Sequence, residues 1–125
     1  MAKKIFKIGN SEFQISGMWK IIHNNKGDLI GSIRLDKTDK SIIISQYIDE
    51  SLFLRDSKNA VNTQTIMDIQ CKLLNNYPAI VFFKKNNKYF SITVNNLDSR
   101  GKWKDIIAVD DEATGYIEEI IGSIQ

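Results

Sequence analysis

The chain has only one cysteine, one histidine and one proline among its 125 residues. The lone Cys71 excludes an intramolecular disulfide and a zinc site built from thiolates, which is typical of a reducing compartment. No apolar run approaches the roughly 18 residues that a membrane-spanning helix needs. The basic start of the chain lacks the apolar segment of a secretory signal. These features predict a cytoplasmic protein with no membrane partner.

Motifs for the common catalytic chemistries are also missing. The seven glycines are scattered, with neither GxGxxG nor GxxxxGK[ST] spacing, so a phosphate-binding loop is not expected. Nothing close to His23 or Cys71 in the sequence indicates a nucleophile paired with a base. A nuclease of the PD-(D/E)xK type needs carboxylates beside its lysine, and the apolar segment that ends at Lys84 has none. We therefore expect no enzyme activity, no metal and no cofactor.

Charge is divided unevenly along the chain, although the formal net charge is only +2. Residues 1–104 hold all 17 Lys and Arg and nine acids, which is a net +8, whereas residues 105–125 hold six acids and no base. The division is consistent with two solvated faces of opposite sign, or with a basic surface that meets an anionic partner. Most of the bases are lysines, which lack the forked guanidinium that reads base edges, so sequence-specific recognition of nucleic acid is disfavoured.

The first half of the chain has the alternation expected of antiparallel strands. A turn at Asn25–Gly27 and a second turn at residues 38–39 predict a three-stranded meander. The predicted cross-strand pairs are Trp19 with Ile33, Ile21 with Gly31, His23 with Leu29, Leu35 with Ile42, Ile33 with Ile44, and Leu29 with Ile48. Residues 51–55 predict a further short strand.

The apolar period changes to that of a helix between Asn62 and Tyr77, and Pro78 follows. Residues 79–94 then predict a hairpin turned at Asn86–Asn87. Its expected pairs are Phe83 with Phe90, Val81 with Ile92, and Ala79 with Val94. A loop over residues 95–102 and a strand over residues 103–109 come next. A last helix begins at Asp110 or Asp111, and its apolar stripe comprises Tyr116, Ile117, Ile120, Ile121 and Ile124.

Together these elements predict one α+β domain over residues 1–125. It consists of an antiparallel β-meander and hairpins packed with two α-helices, in the order β-β-β-(β)-α-β-β-(β)-α. The strand faces opposite the predicted core are more apolar than solvation requires. They comprise Met18, Ile22, Ile30, Arg34, Ile43 and Tyr47 in the meander, and Ile80, Phe82, Lys84, Tyr89, Ser91 and Thr93 in the hairpin. Either helices cover both faces of the sheet, or this second face binds a partner.

We expect a small non-catalytic interaction protein of the inhibitor, immunity or adaptor type, such as those of phages and mobile elements. It would act by occluding a surface of another protein, and a homodimer is the related alternative. The residues expected to make the contact are Phe82, Lys84, Tyr89, Arg34, Tyr47, Arg100 and Trp103. A nucleic-acid-binding face, with Phe82 and Tyr89 stacking on bases among lysines, is a second hypothesis. A site for an anionic ligand, or an enzyme site, built around Arg100 and Trp103 is a third.

Overall fold

The computed structural model describes residues 3–23, 29–37, 40–74, 79–96 and 111–125. Within these residues the strands are β1 (Lys3–Ile8), β2 (Ser11–Ser16), β3 (Lys20–His23), β4 (Leu29–Asp36), β5 (Lys40–Tyr47), β6 (Asn62–Ile66), β7 (Ile69–Leu74), β8 (Ala79–Lys85) and β9 (Lys88–Asn96). The helices are α1 (Glu50–Ser57) and α2 (Asp111–Ser123). The antiparallel strands with two helices confirm the predicted α+β class.

Seven of the strands form one antiparallel sheet in the order β3-β4-β5-β9-β8-β7-β6. Two meanders, β3 to β5 and β6 to β9, supply its halves, and they join where β5 pairs with β9. Strands β1 and β2 form a separate two-stranded hairpin. The last strand of the second meander therefore lies at the centre of the large sheet, beside a strand that is far away in sequence.

The main core lies between one face of the large sheet, here called the core face, and the β1–β2 hairpin with α2. Successive strand residues point to opposite faces, so every second residue of the central strands enters this core, whereas all four residues of edge strand β3 are exposed. The sheet contributes Ile33, Leu35, Ile42, Ile44, Ile66, Cys71, Val81, Phe83, Phe90, Ile92 and Val94. The hairpin adds Phe6, Ile8, Phe13 and Ile15, and α2 adds Ala113, Ile117, Ile120 and Ile121.

Helix α1 lies against the opposite face of the sheet, here called the open face. The Asp49 side chain caps this helix by accepting a hydrogen bond from the Leu52 N–H at 3.0 Å. Phe53 of α1 packs against Tyr47, Phe82 and Tyr89, with ring centroids 5.1 to 6.1 Å apart. Both faces of the sheet are therefore covered in part by helices, which accounts for their apolar character.

The hairpin predicted over residues 79–94 is confirmed in turn and in register. Asn86 and Asn87 both have positive φ, as a two-residue hairpin turn requires. Strands β8 and β9 make the three expected pairs, Phe83 with Phe90, Val81 with Ile92 and Ala79 with Val94. The predicted last helix is confirmed as α2, and its isoleucines lie in the core.

The first meander is confirmed only in part. Its expected pairs Leu35–Ile42 and Ile33–Ile44 are observed, but a β-bulge between Leu29 and Gly31 places Leu29 opposite Tyr47 rather than Ile48. The predicted register of β3 against β4 is wrong. His23 pairs with Ile33 and Ile21 with Leu35, so β3 lies further along β4 than a three-residue turn would allow, and Trp19 lies outside the strand. Residues 24–28 lie outside the described residues.

The helix predicted between Asn62 and Tyr77 is wrong, because residues 62–74 form the β6–β7 hairpin. Its turn is Met67–Asp68, both with positive φ. The spacing of Ile66, Ile69 and Leu73 fits a helix, but Ile69, Cys71 and Leu73 also alternate as a strand, and Cys71 is fully buried.

The strand predicted over residues 51–55 is also wrong, since this segment belongs to α1. The strand predicted over residues 103–109 lies outside the described residues.

Candidate functional site

The open face has a pocket beside α1 with a volume of about 490 Å³. We call it the serine pocket. Its polar lining consists of Ser32, Ser45, Ser91, Thr93, Tyr47, Arg55 and Asp56, and its apolar lining consists of Leu29, Ile43, Ile80 and Phe82. Strands β4, β5, β8 and β9 and helix α1 all contribute to it.

Strand register creates the floor of the pocket. Ser32 of β4 lies directly opposite Ser45 of β5, which lies opposite Ser91 of β9. Three small side chains in one row across three strands leave a depression, because neighbouring rows carry larger side chains. The same row continues into Phe82 of β8, which closes one end of the depression. A serine row in register is therefore the structural cause of the pocket.

The walls of the pocket come from the neighbouring row and from α1. Ile43, Thr93 and Ile80 lie opposite one another on β5, β9 and β8, one row away from the serines. Arg55 and Asp56 from the end of α1 line another side. The pocket thus combines a floor of hydroxyl groups with walls that are partly apolar and partly polar.

Hydroxyl groups on the floor have unused hydrogen-bonding capacity. The Oγ atoms of Ser32 and Ser45 are 3.0 Å apart, and both side chains are more than nine-tenths buried. Within the described part of the chain, these two hydroxyls have only each other as hydrogen-bond partners. One donates to the other, so the second hydroxyl keeps its proton for an acceptor in the pocket.

A hydrogen-bonded chain of three side chains connects the pocket to α1. The Tyr47 hydroxyl donates to Asp56 Oδ2 at 2.9 Å, and Arg55 Nε donates to Asp56 Oδ1 at 2.9 Å. Burial is the main cause that raises the pKa of Tyr47 to about 12, and Asp56 raises it further, whereas a hydrogen bond from Ser91 opposes the shift. Tyr47 is therefore a neutral donor, and the charges of Arg55 and Asp56 neutralise each other.

The predicted contact residues are divided between two parts of the open face. Phe82 and Tyr47 line the serine pocket, but Phe53 covers them and only 3% and 5% of their surface is exposed. Lys84 and Tyr89 lie opposite each other on β8 and β9, with Lys84 Nζ 5.4 Å from the Tyr89 ring centroid. The Tyr89 hydroxyl also donates to Glu50 of α1 at 2.7 Å.

The other predicted residues have separate positions. Arg34 lies opposite Ile43 on the open face, where Arg34 Nε donates to Asp36 Oδ1 at 2.8 Å. Arg100 and Trp103 lie outside the described residues, and so do residues 97–102 of the predicted loop, whereas Asn95 and Asn96 belong to β9. Among the other residues of the predicted second sheet face, Ile22 lies opposite Arg34 in the same row. Ile30 instead lies close to Gly9 of the β1–β2 hairpin, because the bulge reverses its direction.

The two rings of the base-stacking hypothesis both contact Phe53 of α1. The Phe82 ring is buried against Phe53, and the Tyr89 ring also contacts Phe53, with centroids 5.1 Å apart. A base would have to displace α1 to stack on Phe82. Lys84, one of the lysines to which this hypothesis assigns the contact with phosphates, is exposed.

Sequence reasoning missed the serines of the pocket floor as a group. The confirmed pair Ile33–Ile44 already places Ser32 opposite Ser45, so this part of the floor could have been found from the predicted register. Arg55 and Asp56 could not have been found, because the sequence of residues 51–55 predicts a strand and the structure has α1 there.

Two residue types that often act in catalysis are far apart in this fold. His23 is exposed on the edge strand β3, whereas Cys71 is buried in β7 near the other edge of the sheet. Burial raises the pKa of the Cys71 thiol to about 11, so the thiol is protonated at neutral pH. Among the described residues, no three His, Cys, Asp or Glu side chains are grouped closely enough to bind a metal.

Neither a search for membrane-spanning helices nor a comparison with known proteins indicates a function. Neither of the two described helices has the length and apolar character needed to cross a membrane. No protein-family model, curated protein or solved structure matches this chain.

Proposed function

We propose that this protein is a non-catalytic binding module that occludes a surface of a partner protein, and that the serine pocket accepts a side chain of that partner. The observation that carries the proposal is the pocket itself, about 490 Å³ of space with buried hydroxyls below and with both apolar and polar walls around them. Pockets of this kind receive the anchor residues that dominate the binding energy of protein interfaces.

The surface around the pocket supports a protein as the occupant. The row that contains Ile43 continues through Arg34 to Ile22 on the edge strand β3, and Ile22 is 38% exposed. An apolar centre that runs out to an arginine and an exposed isoleucine has the composition of an interface, where charged residues lie at the rim. Buried Cys71 as the single thiol supports the cytoplasm as the location.

A small neutral ligand is the second candidate, and one observation favours it. The pocket volume lies within the range of about 300 to 1,000 Å³ that is usual for small-molecule sites. Several hydroxyls also converge on the space, as they do where a ligand must be oriented. A free ligand would fill the pocket without using the row from Arg34 to Ile22.

Photo-crosslinking at the pocket tests the first candidate. A photo-reactive amino acid replaces Ile43, and the crosslinked protein is identified, purified and titrated by calorimetry against three forms of this chain. These are the unmodified protein, Ser45→Leu, and the control Thr65→Leu on the exposed edge strand β6. We expect Ser45→Leu to weaken binding at least about tenfold, since the leucine side chain fills the floor, and Thr65→Leu to leave the affinity unchanged.

Two results would contradict the proposal. The first is that the partner binds Ser45→Leu as tightly as it binds the unmodified protein, when circular dichroism shows that the variant is folded. The second is a crosslink formed only within the chain. If the crosslink instead joins two copies of the chain, and sedimentation analysis shows a dimer that Ser45→Leu dissociates, the partner is a second copy of the chain.

A further inference from the structure

We infer that the group which fills the serine pocket is an uncharged carboxamide, the side chain of a glutamine or asparagine on the partner protein. This inference rests on the proposed function, since it names the chemistry of the partner at the same site. It follows from the charges, the hydrogen-bonding capacity and the shape of the pocket.

Paired charges disfavour a charged occupant. Asp56 accepts from both Arg55 and Tyr47, and Arg34 on the neighbouring row is paired with Asp36. A carboxylate or an ammonium group entering the pocket would lose its water without gaining an opposite charge that is not already engaged. Burying a charge without a counter-charge is strongly unfavourable, so a neutral group is selected.

Hydroxyl groups on the floor disfavour a purely apolar occupant. The pair of Ser32 and Ser45 keeps one hydroxyl proton for an acceptor, and the oxygen atoms of the floor can accept further hydrogen bonds. An apolar side chain would displace water from this proton and leave it without a partner, which is costly in a buried position. A carboxamide supplies an acceptor oxygen and two donor hydrogens in one planar group.

The walls fit the stem of a glutamine better than they fit a sugar. Leu29, Ile43, Ile80 and Phe82 form the apolar part of the walls, and Thr93, Arg55 and Asp56 line the rest. The methylene groups of a glutamine would contact these walls while its amide reaches the serines. A sugar presents hydroxyls in all directions and would place some of them against apolar walls without hydrogen-bond partners.

Matched probes with different end groups test the inference. The probes are the N-acetyl methylamides of glutamine, glutamate and norleucine, together with methyl glucoside as a free polyol. Binding is followed by the ¹³C shifts of the isoleucine methyl groups in the full chain. Ile43 and Ile80 report on the pocket, and buried Ile120 of α2 is the internal control.

We expect the glutamine probe to shift the Ile43 and Ile80 signals with saturation, at a dissociation constant of about 1 to 10 mM for a ligand of this size. Ile120 should not shift. The glutamate probe should bind at least about tenfold more weakly because its charge has no free partner. Ser45→Ala should weaken the glutamine probe about threefold to tenfold, since it removes one hydroxyl of the floor.

Several outcomes would overturn the inference. They are equal or tighter binding of the glutamate or norleucine probe, binding of the glucoside alone, and no saturable shift with any probe up to about 100 mM. The proposed function fails separately. If the partner inserts a charged side chain at Ile43, the carboxamide inference is wrong but the proposed function stands. If the glutamine probe binds but the partner is insensitive to Ser45→Leu, the carboxamide inference stands but the proposed function is wrong.

Discussion

Two glycines bring the N-terminal hairpin into backbone contact with the large sheet. A Cβ added to Gly31 of β4 would lie 2.3 Å from the Gly9 nitrogen and 2.9 Å from the Gly9 Cα. Asn10, beside this contact, accepts a hydrogen bond from Gln46 Nε2 at 2.6 Å. The hairpin is therefore fixed on β4 and β5 at a point where neither Gly9 nor Gly31 has room for a side chain.

The close contact predicts that Gly31→Ala lowers the free energy of unfolding by about 3 kcal/mol, since a backbone atom cannot move aside as a flexible side chain can. Gly115→Ala in α2 is the matched control. An added methyl group there meets nothing within 4 Å, and alanine favours the helix by about 0.5 to 1 kcal/mol. Urea denaturation should therefore give opposite signs for the two alanines, and equal signs would contradict the described contact.

Among the elements, α1 contacts the sheet through one ring and two hydrogen bonds. Phe53 supplies the ring, the Tyr89 hydroxyl donates to Glu50, and the Tyr47 hydroxyl donates to Asp56. The raised pKa of Tyr47 means that the folded state holds this proton more tightly than the unfolded state does. The hydrogen bond is lost when the tyrosine ionises, because a phenolate has no proton to donate and repels the carboxylate.

The shift of the Tyr47 pKa from 10.0 to about 12 predicts a pH dependence of stability. The contribution of this proton is fully present below pH 10 and is lost as the pH rises towards 12, since the unfolded state releases the proton first. Denaturation curves at a series of pH values should thus show a steeper loss of stability above pH 10 in the unmodified protein than in Tyr47→Phe.

Tyr47→Phe should also cost about 1 kcal/mol at neutral pH through the lost hydrogen bond. The comparison between the two proteins removes the contributions of lysines and the other tyrosines, which both share. Parallel loss of stability above pH 10 would show that Tyr47 does not carry the effect.

Local chemistry determined which elements could be predicted. The hairpin over residues 79–94 was predictable because its turn is short and each expected pair is apolar on both strands. For residues 62–74 the same apolar residues fit two periods, and the pairing of Cys71 with Phe83 on β8 decides between them. Such pairing with a distant strand leaves no signal in a local window.

The β1–β2 hairpin has a signal of its own in the sequence. Lys7 separates Phe6 from Ile8, Gln14 separates Phe13 from Ile15, and Gly9–Asn10 lies between the two runs. Gly9 adopts the positive φ that a tight turn favours. Period and turn together are sufficient to predict this hairpin.

At the scale of the whole molecule, the open face could be predicted but the pocket could not. The predicted strand faces placed Ile43, Ile80 and Phe82 on the side opposite the core. The complete floor depends on β5 pairing with β9, and no short turn fixes the register of strands so far apart in sequence. The pocket also depends on α1, where the sequence of residues 51–55 predicts a strand.

The division of charge along the chain is used in part inside the fold. Glu119 of acidic helix α2 accepts hydrogen bonds from the Ser16 backbone N–H at 2.9 Å and from its hydroxyl at 2.7 Å. Lys85 Nζ donates to the Ile121 carbonyl at 2.7 Å, at the end of the helix where a positive charge is favoured. Part of the acidic segment therefore stabilises the fold, and less of it is left to attract a partner.

A shared core predicts that the hairpin, the sheet and α2 unfold together. Phe13 of β2 and Cys71 of β7 belong to the same buried cluster although they lie on different sheets. Phe13→Ala should cost about 3 to 5 kcal/mol, as the removal of a buried ring does. If the fold opens as one unit, Cys71 becomes accessible to a thiol reagent only on global unfolding.

The rate of Cys71 modification under native conditions measures this coupling. Phe13→Ala should accelerate it at least about a hundredfold, which is the factor that corresponds to the lost stability. The control Ile5→Ala removes a side chain that is 60% exposed on β1 and should leave the rate unchanged. A rate that ignores Phe13→Ala would mean that the second meander opens independently of the hairpin, and it would argue against one domain over residues 1–125.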